Sequence, residues 1–462
     1  MGERVKDMTK GRPAGLIVGF ALPLMLGNMF QQFYTMVDAI VVGQGVGVEA
    51  LAALGAADWP NWLVTGLVIG FTQGFSIRIS QRFGAEDYQG LRKTAAMSVL
   101  LTAAIAVVFT ILSLSLSRPV LLLLDTPANV FDNALLYLRI IFAGIPIILG
   151  YNVLSAFLRA LGDSRTPLVA MIIAACINIT LDLLFVMGFH WGVAGAAIAT
   201  VFAQFCSCVF CFFAVRRISF FRMSRSDWRL DWRNIWDLIK LGSPTAFQNG
   251  VIGVGGLAVQ YVINGYGFLF VAGFTATNKL YGLLEIAASS FGYSMTTYVG
   301  QNLGAKQTDR IRKGMRVGLL MAVGTAAAIG IFMLIFGKFV LRLFISGDPS
   351  ETEQVLEIAY HYLSIMCVLL PVLYLLWMYR SALMGMGDTV VPMLSGMVEL
   401  AMRMFMVLIM SRIWGVNAVY WAECAAWTGA AILLAIVYYW RARRLGNRAV
   451  DSPRPLHPAT NS

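Results

Sequence analysis

The sequence predicts an all-α polytopic membrane protein with twelve transmembrane helices, arranged as two six-helix lobes in a parallel internal repeat around a central cleft. Three observations carry this. The 462 residues are 58% hydrophobic and only 13% charged, with a mean hydropathy of +0.73, which no soluble domain matches. Apolar windows long enough to cross a bilayer recur at 16–40, 50–77, 94–116, 132–157, 167–188, 193–215, 238–263, 268–299, 315–337, 355–380, 391–411 and 417–440. Lastly, the second half of the chain repeats motifs of the first in fixed order.

The first span holds the stretch around which the chain is organised, Met29 to Gln44. Gln31, Tyr34, Thr35 and Asp38 fall at i, i+3, i+4 and i+7, on one helical stripe. A carboxylate at the centre of a membrane helix costs roughly 2.5–3.5 kcal/mol, so Asp38 is expected to face protein or water. The alternative is that it caps the helix end in solvent. This first apolar segment is too long, and too polar on one face, for a cleavable leader. Pro23 is an expected kink point.

The second span carries Gly66, Gly70 and Gly74 on one face, which allows close helix contact. It ends in Gln81-Arg82-Phe83-Gly84-Ala85, and the pattern returns as Gln301-Asn302-Leu303-Gly304-Ala305 at an offset of 220. Pro23 with Asn28 answers Pro244 with Asn249. Gly162-Asp163 before Pro167 answers Gly387-Asp388 before Pro392, and Trp191-Gly192-Val193 answers Trp414-Gly415-Val416. Offsets that drift only between 220 and 225 indicate two duplicated halves. Since six spans is an even number, both halves enter from one side and the repeats are parallel.

Charge fixes the expected orientation. The tails and even-numbered loops hold 28 of the 35 Lys and Arg, the odd-numbered loops only Arg118, Lys338, Arg342 and Arg412. Arg380 is counted here with the even-numbered loops. By the positive-inside rule both termini are cytoplasmic, so the net charge of +11 is a topology signal and no nucleic-acid partner is expected. The domain reading is a cytoplasmic tail over 1–15, an N-lobe over 16–215, a cytoplasmic linker over 216–237, a C-lobe over 238–440 and a disordered cytoplasmic tail over 441–462. Cys206, Cys208 and Cys211 have no His or acid beside them, so they read as small apolar filler and no metal site is expected.

Counting along each span at about 1.5 Å per residue places five polar groups at one level of the outer half. They are Asp38, Tyr137, Asn178, Asp182 and Thr200, from four different helices. The second half instead carries Lys279, Glu285, Glu399, Arg403 and Glu423, with Glu423 answering Thr200 in the repeat. Glu399 and Arg403 at i, i+4 are expected to neutralise each other as an internal ion pair.

On these residues the chain resembles the MATE family of multidrug efflux transporters, over about residues 10–440. The residues that carry the likeness are the duplicated halves, Val37-Asp38 followed by Val42-Gly43-Gln44, Gln301-Asn302-Leu303-Gly304-Ala305 and the Gly-Asp loops. Asn178 and Asp182 with Tyr137 and Thr200 are most similar to the DinF-type branch. The resemblance implies a multi-pass protein of the cell inner membrane, not an enzyme, that exports cationic or amphipathic small molecules by alternating access. It implies coupling to H⁺ or Na⁺ at Asp38, Tyr137, Asn178, Asp182 and Thr200, with Na⁺ held by Asp38, Asn178 and Asp182. It further implies a drug cavity lined by Gln31, Tyr34 and Asn152. The first helix of the second half lacks the glutamate of NorM-type relatives, so coupling there is less supported. No cofactor beyond the ion is expected, membrane lipids are the other partners, and a monomer is expected.

Two other readings compete. A lipid-linked oligosaccharide flippase of the same superfamily would need a basic cavity, whereas only Arg139, Lys279 and Arg403 lie within spans against at least five acids. Gly385-Met386-Gly387-Asp388 matches the GxGD signature of intramembrane aspartyl proteases, but Asp163 occupies the same loop position in the first half. No Gly-rich loop with Lys-Ser/Thr supports an ATP-driven pump.

Overall fold

The computed structural model describes residues 5–343, 345 and 349–450, and among these all regular structure is helical. The first half comprises α1 (Pro13–Gly45), α2 (Val48–Gly84), α3 (Tyr88–Leu123), α4 (Ala128–Ala143 and Ile145–Ala160), α5 (Arg165–Asp182) and α6 (Gly192–Arg216). The second comprises α7 (Trp232–Asn264), α8 (Phe268–Gly304), α9 (Thr308–Arg342), α10 (Pro349–Gly385), α11 (Val390–Met404) and α12 (Val416–Val450). Ten single helices are long and apolar enough to cross a membrane, and the two parts of α4, bent by 48°, make an eleventh span. α8, 37 residues long, is not among these spans. Its polar side chains are engaged by the first half, as described below. The last helix continues to Val450, past the boundary expected at 440, and residues 451–462 of the expected tail lie outside the described residues.

Local chemistry explains several ends. Pro13 opens α1, where its missing N–H costs nothing. Asp87 caps α3 by accepting from the Gly90 amide at 2.9 Å, and Asp231 caps α7 by accepting from Arg233 and Asn234. The duplication extends to features no motif announced: α5 passes into a π-helical turn at Leu183–Gly188 and α11 into one at Phe405–Met410.

The halves interlock at the end that bears both tails. Leu16, Ile17, Phe20, Ala21 and Leu24 of α1 sit in the second half's core. Reciprocally, Ile235 and Leu238 of α7, the repeat counterpart of α1, sit in a first-half core. The Gly70 and Gly74 positions of α2 lie against Ala246 and Gly242 of α7, where an added Cβ would fall 2.4 Å from backbone. The duplicated Gln-x-x-Gly-Ala corners meet each other. A Cβ on Gly84 would lie 1.9 Å from the Gln301 carbonyl oxygen, and one on Gly304 1.9 Å from that of Gln81.

Hydrogen bonds then stitch the same end. Gln81 Nε2 donates to Gly385 O at 3.0 Å, Gln301 Nε2 to Ala160 O at 2.9 Å, Thr297 to Arg159 O and Ser294 to Ile17 O. Residues 5–12 thread between the halves. Lys6 N donates to Leu161 O, Met8 N donates to Gln301 Oε1 at 2.8 Å, and Asn302 and Arg310 both donate to Met8 O. Among the described residues, no hydrogen bond or ion pair joins the halves beyond Asn249 to Gly66 O at mid-helix. Toward the far end Asp58 of α2 and Lys279 of α8 are exposed and interact only electrostatically.

Candidate functional site in the first half

Asp38 and Asp182 are brought together from α1 and α5. Asp182 is fully buried at the last α-helical position before the π turn, and Asp38 is 7% exposed. A π turn widens a helix by one residue and recurs at functional positions. Here it follows directly on the carboxylate. The two carboxyls are close enough to interact electrostatically. Yet Oδ1 of Asp38, both oxygens of Asp182 and Oδ1 of Asn178 meet no donor among the described residues. Buried acceptors without donors are costly, so a proton carried by one carboxyl, or a cation, is what such a cluster can stabilise. Hard oxygen donors of this kind suit Na⁺.

Asn178 stands one turn before Asp182, and its Nδ2 lies 3.4 Å from Thr200 Oγ1 of α6. Tyr137 of α4 is buried and within electrostatic range of Asp38 and Asp182. The structure thus brings together all five residues expected at one level. Val41, Val42, Ala134, Leu138 and Val193 form an apolar core around them that limits water.

The expected cavity residues separate. Gln31 and Tyr34 line a void of about 20 Å³ with Tyr151, Met171, Gln204 and Ser207, room for about one water. Gln204 shares this void with Tyr34 and had no motif to mark it. Asn152 is not on this void, and its amide donates to Ile148 O of its own helix at 2.8 Å. Thr35 is exposed and bonds back to Gln31 O. Asp58, about three turns into α2 and exposed, also lies in electrostatic range of Asp38 and Tyr137.

In the second half the expected pair becomes a chain. Glu399 makes its short contact with Arg380 of α10, while Arg403 lies 3.7 Å away. Arg403 pairs with Glu423 of α12 at 2.8 Å. Arg380 is therefore no loop residue. α10 runs to Gly385 and buries it, with Nη2 also on Ser395 Oγ at 3.2 Å. Two bases and two acids alternate, so the network is internally neutral. Glu285 stands beside it, accepting from Trp377 Nε1 at 3.3 Å, and Lys279 stays outside it, exposed on α8.

The Gly-Asp loops are structural. Asp163 accepts from the amides of Arg165 and Thr166 at the start of α5. Asp388 accepts from Val391 N and pairs with Arg441 at 2.6 Å. The two aspartates cap corresponding helices at separate places, so they do not form a catalytic dyad.

The MatE family profile matches residues 23–184 and 244–409. The chain is similar to the probable multidrug resistance protein YpnP of Bacillus subtilis, 31% identical over 77% of this chain and 80% of that one. It is similar to the probable multidrug resistance protein NorM of Thermotoga maritima, 26% identical over 82% and 81% of the two chains. In fold it is similar to a structure described as the outward-facing conformation of a multidrug resistance MATE family transporter of the MOP superfamily. That likeness has a TM-score of 0.88 at 22% identity, over 96% of this chain and 99% of the other.

Proposed function

Because the chain belongs to the MatE family of membrane transporters, we propose that it is a secondary active antiporter exporting organic cations and amphipathic compounds in exchange for H⁺ or Na⁺. The observation that carries this reading is the set of donorless oxygens on Asp38, Asp182 and Asn178, beside the Gln31–Tyr34–Gln204 void. An organic cation near the ionised carboxylates gains Coulomb attraction, and a proton or Na⁺ on the same oxygens removes it. Each must then weaken the other by the same factor, about 1–3 kcal/mol for typical coupled sites. Gln31 and Tyr34 are the proposed contact residues for the substrate, which needs the void to widen.

With both tails cytoplasmic, the hydrogen bonds between the halves gather at the cytoplasmic end, while nearer the other end Trp62 and Trp59 of α2 only pack against Gly253 and Gly256 of α7. Alternating access is then a rocking of the halves that breaks the Gln81–Gln301 corners, opening the tail-bearing end and closing the other. A flippase is not favoured: the buried Arg380 and Arg403 are neutralised by Glu399 and Glu423, so this pair offers no free charge to a pyrophosphate. The test is uptake of a cationic dye into vesicles with H⁺ and Na⁺ gradients imposed separately. Transport indifferent to both gradients would refute antiport.

A further inference from the structure

On the outer flank of the first half, a groove of about 960 Å³ runs between α3, the second part of α4, the end of α6 and the linker. Its deep wall is apolar, with Ala103, Val107, Pro146 and Leu154, and Pro146 sits just past the bend of α4. Its mouth is of a different character. Arg216 ends α6, Arg222 and Trp228 follow in the linker, and all three are exposed. The linker is held at a defined height on α3, because Asp227 pairs with Arg92 at 3.6 Å and Asp231 with Lys93 at 2.7 Å. From Arg92 to Val107 along α3 is roughly 22 Å at 1.5 Å per residue. That is about the depth of one leaflet with its headgroups.

Charge decides what the groove accepts. The two nearest linker acids are engaged by Arg92 and Lys93. Arg216 lies over the Phe212 ring at 5.7 Å to the centroid, and neither Arg216 nor Arg222 has an ion pair with a described carboxylate. Two guanidiniums above an apolar slot repel an organic cation, so the groove is no entrance for such a substrate. They suit a phosphodiester, which Arg binds through paired N–H donors. Trp228 sits where indole rings favour the membrane–water boundary. Basic pockets between membrane helices bind anionic lipid headgroups.

We infer that this groove seats one anionic phospholipid from the leaflet at the tail-bearing end, its phosphate between Arg216 and Arg222 and an acyl chain along Ala103, Val107 and Pro146. The site is separate from the Asp38–Asp182 cluster and does not depend on the antiport reading.

Native mass spectrometry of the purified full chain, titrated with phosphatidylglycerol or phosphatidylcholine of identical chains, tests it. One phosphatidylglycerol should bind per protein, at least tenfold more tightly than phosphatidylcholine. Arg216→Gln with Arg222→Gln should remove that preference, while Arg229→Gln, on the linker outside the groove, should leave it. Val107→Trp fills the deep end with both arginines in place, and should weaken phosphatidylglycerol binding by a similar factor. The proposal is overturned if the double variant retains the preference or if Val107→Trp leaves binding unchanged. It is equally overturned if inorganic phosphate competes as well as the lipid, which would make this a surface anion site without a chain.

Discussion

The paired corners Gly84 and Gly304 offer the sharpest test of a moving interface. At each, a methyl group would stand 1.9 Å from a carbonyl oxygen of the other half, where ordinary contact begins near 3.4 Å. The obstacle is backbone and alanine has no rotamer to change, so the helices must part by about 1.5 Å at that corner. Overpacking of this kind costs about 1–3 kcal/mol, and only in the state that makes the contact. Gly84→Ala or Gly304→Ala should then shift the equilibrium away from that state by roughly 5- to 150-fold. A cysteine at Ser243, in the crevice that Arg78, Asp237 and Lys240 line at the same end, reports the shift through its alkylation rate. Either glycine variant should speed alkylation, and Gly15→Ala, with nothing within 4 Å, should not. If both variants lower the unfolding temperature yet leave alkylation unchanged, the corners are a fixed weld and the rocking argument fails.

Other expectations follow from the two polar clusters and the loops. In the wild type, cation binding should weaken as pH falls or Na⁺ rises. In Asp38→Asn that competition should vanish, and Asp182→Asn should impair it similarly; undiminished competition in Asp38→Asn, measured by dye-binding titration, would move coupling elsewhere. Glu399→Gln should destabilise by about 3–5 kcal/mol, and Arg380→Met should relieve that loss more than Arg403→Met, because Arg403 keeps Glu423. Denaturation of the single and double variants checks the order. Asp163→Ala should cost about 0.5–2 kcal/mol as a lost cap without changing ion competition in the protein that folds, whereas a dyad aspartate would abolish function outright.

Much of this architecture was legible from hydropathy and repetition. Every expected window lies on a helix, and the stripe from Gln31 to Asp38 faces as its spacing implied, with Thr35 the member left outside. Helix lengths were less legible. Hydropathy marks the length in contact with lipid, while α2, α8 and α10 run on where they are buried by protein, which is why Arg380 read as a loop residue. The i, i+4 spacing of Glu399 and Arg403 identified a buried pair but not its stronger partners, since α10 and α12 approach α11 only through tertiary packing. The π turns after Asp182 and Met404 have no compositional mark. Gln204 and Asp58 were isolated polar residues until the fold set them beside Tyr34 and Asp38.

The segment threaded between the halves has a consequence for how this protein can vary. Its anchoring uses main-chain groups: Lys6 N, the N and O of Met8, and Gly11 O toward Arg310. Of its residues, Met8 is the one wholly enclosed. Thr9 is also buried and held to Asp7, and Val5 packs on a core, so the exposed side chains alone are open to drift, whereas inserting or deleting a residue between Lys6 and Gly11 slides the anchors out of register. The spacing from Lys6 to Pro13 thus acts as a heritable dial on the resting shape.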